Sequence, residues 1–158
     1  MAQRKKSTKM FLQELNSPDQ SMREEAHNHF LELEDDELEE KAIKPLLQEL
    51  RRRAKTLSFD GHYERHNFYE IAALVDEIGS HHRNVQEAFL NFAFAGSKAT
   101  LAEMISVGRK NNNAFDKAIS DLRKYLQEGS QRQKFIAAYL LGQQGASGDF
   151  MEVLESVK

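Results

Sequence analysis

A helical phrase recurs along this chain, and the recurrence limits its folds more than any other feature. Ile71–Gly79 reads IAALVDEIG and Ala137–Gly145 reads AAYLLGQQG. After a short turn each is followed by a second apolar segment, VQEAFLNFAF from Val85 and FMEVLESVK from Phe150. A repeated helix–turn–helix unit buries its apolar face only against its neighbours. It therefore stacks, and a stack presents surface rather than one deep active site.

Apolar residues spaced i, i+3, i+4 occur almost throughout, and strand-like alternation is scarce. Residues 1–6 are polar and expected to be disordered. A short helix carries Met10, Phe11, Leu12 and Leu15. Ser17 is expected to cap the next, with Pro18 at its first position and Met22, Ala26, Phe30 and Leu33 on one face. A third buries Ile43, Leu46, Leu47 and Leu50, with a late start or a kink at Pro45. Phe59–Gly61 is expected to be a loop.

The following helices are expected over about 62–78 and 84–95, with a sixth capped by Ser97 or Thr100 and ending near 109, then over about 114–127, 131–144 and 150–157. Asn111–Asn113 is expected to turn. Gly79, Gly96, Gly129 and Gly145 follow apolar stripes, where glycine commonly stops a helix in the left-handed conformation. Paired, these segments make one domain over 1–158, with units at about 17–54, 62–96, 97–128 and 130–158 and an N-terminal half-unit before them.

Composition narrows the chemistry. The 158 residues include no cysteine, which removes disulfides, thiolate metal sites and cysteine nucleophiles. The net charge of −3 supplies no global field for nucleic acid. Charge is nevertheless blocked. Arg4, Lys5, Lys6 and Lys9 open the chain, an acidic run covers Glu32–Glu40, and Arg51, Arg52, Arg53 and Lys55 follow. No secretory signal or membrane-length apolar run is present, so a cytoplasmic protein is expected.

SPDQSMREEAHNHFLEL followed by AIKPLLQEL resembles a HEAT repeat of the PBS-lyase type. The match lies in a Pro-Asp start, an Arg-Glu-x-Ala first helix and a second helix of form x-Ile-x-Pro-Leu-Leu-x-x-Leu. Residues 17–50 carry it best, 62–96 and 130–158 moderately, and 97–128 weakly. The resemblance implies an all-α chain: a right-handed α-α superhelix of about four HEAT-like pairs, the second helix of each lining a concave face. The repeat specifies fold far more than function.

His62, His66 and Glu70, at i, i+4 and i+8, share a helical face and are the metal candidates. A solvated face without a fourth ligand is the competing interpretation. His27 and His29 point about 200° apart on a helix and do not chelate together. Deoxyhypusine hydroxylase, a HEAT-repeat di-iron enzyme, uses His-Glu dipeptides; no histidine here is followed by glutamate. HEAT-like DNA glycosylases need a basic concave surface and aromatic contacts; here tryptophan is absent and only Arg51–Arg53 is locally basic. Bilin lyases share the repeat, but no motif here selects a tetrapyrrole.

The fifth of these helices carries two apolar stripes. Val85, Ala88, Phe89 and Phe92 make one, and Leu90 and Phe94 make the other. The second stripe is either core or a groove for a partner helix or peptide. Met151, Val153, Leu154 and Val157 form an apolar end expected to self-pack or to make a homodimer contact.

The sequence thus points to a non-enzymatic protein–protein interaction module with no cofactor. Its partner is expected to be a protein, with an acidic segment favoured by the basic cluster. Partner contacts are expected at Arg51, Arg52, Asn91, Lys117, Asp121 and Lys124. A metal- or bilin-handling enzyme or chaperone is the alternative, and nucleic-acid binding through the basic patch is a second.

Overall fold

The structure, a computed structural model, describes residues 7–110 and 113–143. All regular secondary structure among them is helical. The opening residues 1–6, the apolar end over 150–157 and its homodimer contact lie outside the described residues.

Helix α1 spans Thr8–Glu14 and α2 spans Gln20–Leu31. The cap of α2 is Asp19 rather than the expected Ser17. Ser21 N–H donates to Asp19 Oδ1 at 2.9 Å, while Ser17 Oγ accepts from Asp19 N–H at 3.1 Å. Both oxygens suit a cap, and the chain uses them in series.

Helix α3 (Asp35–Leu38), a π-turn over Glu39–Ile43 and α4 (Lys44–Ala54) run on continuously. Lys44 N–H donates to Glu39 O, five residues back, one residue before Pro45. A proline there has no N–H, and its ring crowds the carbonyl four residues earlier. Widening the preceding turn accommodates it, which is the physical form of the expected disturbance.

Helix α5 spans His62–Gly79, α6 spans Arg83–Ala95 and α7 spans Lys98–Lys110. The expected helix over 114–127 is two: α8 (Asn113–Lys117) and α9 (Ile119–Glu128), broken at Ala118. Helix α10 spans Gln131–Gln143. Reciprocal capping starts it: Gln133 N–H donates to Ser130 Oγ, and Gln133 Oε1 accepts from Ser130 N–H. Ser97 caps α7 by accepting from Thr100 N–H at 3.1 Å.

Sequence neighbours pack as α4 on α5, α6 on α7 and α9 on α10. One line of contacts runs from α2 to α5, α7 and α10, and another from α4 to α6 and α8. Phe30, Leu46, Phe68, Phe89, Phe115 and Leu122 are fully enclosed in a core that continues through these layers. Both stripes of α6 belong to it. Leu90 and Phe94 are buried, and the Phe94 ring stacks on Tyr125 of α9 at 4.0 Å. Burying a side chain of that size stabilises the fold by about 1.5–3 kcal/mol.

Candidate interaction surface

Helix α4 ends in a run of cations because its apolar stripe, Leu46, Leu47 and Leu50, turns inward. Lys44, Gln48, Arg51 and Arg52 face out, and Glu49 and Arg53 are half-buried. Cations at a helix C-terminus also complement its partial negative charge. The run then divides. Arg52 and Arg53 both donate to Glu49, Arg53 Nε at 2.9 Å to Oε1, and this pairing holds the Glu49 carboxyl below the usual range. Arg51 and Lys55 are exposed and form no ion pair with the described residues.

Arg51 and Lys55 stand over a groove of about 470 Å³ between α4 and α6. Asn91 of α6 occupies the opposite rim, with Ala54, Phe92, Ala95, Gly96 and Ser97 completing the walls. Asn91 is exposed for a simple reason: on α6 only Arg83, Glu87, Asn91 and Ala95 avoid the core or half-burial. These four recur at i, i+4, i+8 and i+12. On the other side of α4, Arg51, Arg52 and Lys55 also line a hollow of about 530 Å³ reaching Leu12 of α1 and Pro45.

The other expected contacts lie elsewhere. Asp121 is held by its own chain: Arg83 Nη2 donates to Asp121 Oδ1 at 2.8 Å, and Nη1 donates to Oδ2. This two-pronged pair joins α6 to α9 and keeps the Asp121 carboxyl below its ordinary range. Lys124 is exposed and lines a separate hollow of about 360 Å³ with Asp121, Tyr125, Glu128, Gly129 and Gln133. Lys117 Nζ donates to Ser80 Oγ at 3.2 Å, across to the α5–α6 turn. Of the six residues, then, Arg51 and Asn91 share one groove, Asp121 and Lys124 share another, and Arg52 and Lys117 are engaged within the chain.

His62 and His66 line a cleft of about 350 Å³ with Arg65, Tyr69, Glu103 and Ser106. Glu70 is drawn aside. Its Oε1 lies 2.6 Å from His66 Nε2 and 3.6 Å from Arg23 Nε of α2. Arg65 Nε donates to Glu103 Oε1 at 2.9 Å, and its guanidinium lies over the Phe59 ring. No group of three or more His, Asp or Glu among the described residues is placed to hold a metal ion.

Lys55 belongs to the basic block of the sequence but not to the expected partner contacts; its place on the groove rim follows from its i+4 relation to Arg51. Sequence reasoning passed over Phe135, half exposed beside Lys98, Leu101 and Arg132 between α7 and α10. No helix among the described residues is long and apolar enough to cross a membrane. Comparison with protein-family models, with curated proteins and with solved structures finds no match.

Proposed function

We propose that this chain is a non-enzymatic protein-interaction module, a small right-handed α-solenoid of HEAT-like helix pairs that receives a protein partner on its α4–α6–α9 side. The two lines of contacts, α2–α5–α7–α10 and α4–α6–α8, support the solenoid reading, because stacked pairs generate such contacts between equivalent helices. The observation that carries the functional reading is the α4–α6 groove. Two cations without ion pairs among the described residues and an exposed amide there surround an apolar floor in which Phe92 is 4% exposed. An apolar floor with a few polar groups on its rim is the usual make-up of a recognition surface.

The absence of cysteine makes a direct test simple, since a single introduced thiol is unique. A photocrosslinker on Asn91→Cys is expected to capture a discrete partner from the native cell extract. The same reagent on Glu24→Cys, exposed on α2, is expected not to. Equal capture from both positions, or none from either, would count against this face.

A further inference from the structure

We infer that the α4–α6 groove takes an acidic protein segment with two carboxylates about 6 Å apart flanking an apolar side chain. This rests on the interaction-module reading and names the chemistry of the partner. Of the exposed cations on the π-turn and α4, Lys41 is engaged by Glu37, Lys44 by Glu40, and Arg52 by Glu49. Arg51 and Lys55 remain. Their i, i+4 relation puts them on one face, about 6 Å apart along the helix axis.

The acids nearby are already committed. Glu49 is held by Arg52 and Arg53, and Glu87 of α6 lies 3.2 Å from Arg83 Nε. The rim above Ala54, Phe92 and Ala95 therefore carries two positive charges with no counterion among the described residues. An extended segment spaces alternate side chains by about 6.6–7 Å, close to the separation of the two cations, so its acids at i and i+2 can meet both. The residue between the acids then points away from the α4 cations, toward the Phe92 and Ala95 wall of α6. The Asn91 amide, both donor and acceptor, can pair with a peptide unit.

A nucleic-acid backbone fits less well. It needs a longer row of unopposed cations than the two on this rim. Because the two cations are solvated, their main effect is on encounter and orientation, and the apolar floor has to supply holding strength.

Fluorescence anisotropy on the full chain tests this. The probe is a short fluorescein-labelled peptide with Glu-Leu-Glu at its centre in a Gly-Ser frame. Its comparators are Gln-Leu-Gln and Glu-Ser-Glu versions and a labelled single-stranded oligonucleotide. Glu-Leu-Glu is expected to bind best, and to lose roughly tenfold or more in affinity with Arg51→Glu/Lys55→Glu. Arg51→Gln/Lys55→Gln is expected to fall between, and helical circular dichroism should show all three proteins folded. Three results would overturn the inference: no binding of Glu-Leu-Glu, binding that survives charge reversal, or tighter binding of the oligonucleotide. If the peptide fails while Asn91→Cys still captures its partner, the acidic occupant is wrong and the interaction module stands.

Discussion

The His29 ring lies flat against Phe11 of α1, with ring centres 3.9 Å apart and planes 11° from parallel. Its edge contact with Phe30 ties the pair to the core. The Nε2 atom is enclosed without a hydrogen-bond partner. Burial pushes its pKa below the ordinary 6.5, Glu32 opposes that shift, and Lys41 reinforces it more than Glu37 resists. The unfolded chain thus binds a proton more readily than the folded one. Stability from this neutral imidazole is complete above pH 6.5 and is lost as pH falls below it. Thermal melts should show a larger fall in Tm between pH 7 and pH 5 for the wild type than for His29→Phe, which keeps the stack and cannot titrate. Parallel curves would contradict a neutral His29. Asp121 shows why charge alone misleads at this scale. A sequence displays it as a free acid, but Arg83, 38 residues earlier, holds it.

At the scale of the element, glycine ends helices here by close approach. Gly96 and Gly129 have φ of −80° and −76° with extended ψ, not the left-handed values commonly expected after a helix. A Cβ would lie 2.5 Å from Phe92 O at Gly96 and 2.5 Å from Tyr125 O at Gly129. Gly96→Ala must therefore displace backbone and is expected to cost about 1–3 kcal/mol, measured by urea unfolding. An unchanged midpoint would show that the turn relaxes freely. The positions of both stops were legible because glycine follows each apolar stripe. Their conformation was not, since it depends on where the next helix starts. The break at Ala118 left no local mark for a related reason. Ala114, Phe115, Ala118 and Leu122 are all buried, so the stripe runs unbroken across it. What fixes the start of α8 is distant: Ala114 N–H donates to the buried Asp76 carboxylate of α5 at 2.8 Å.

For the molecule as a whole, the helical class and most segments were legible in the spacing of apolar residues, a local property. The surface was only half legible. Arg51 and Asn91 were recognisable as outward positions on their own helices, but their meeting across one groove depends on α4 packing beside α6. Links such as Arg65–Glu103 and Tyr63 O–H donating to Asn16 O join residues far apart in sequence, and no periodicity announces them. The central claim is that the α4–α6 groove is the working surface. Backbone amide NMR of the full chain, titrated with the partner captured through Asn91→Cys, tests it most directly. Shift changes are predicted to concentrate at Arg51, Ala54, Lys55, Asn91 and Ala95. Changes centred instead on α2 or on the His62–His66 cleft, with α4 and α6 unmoved, would contradict it.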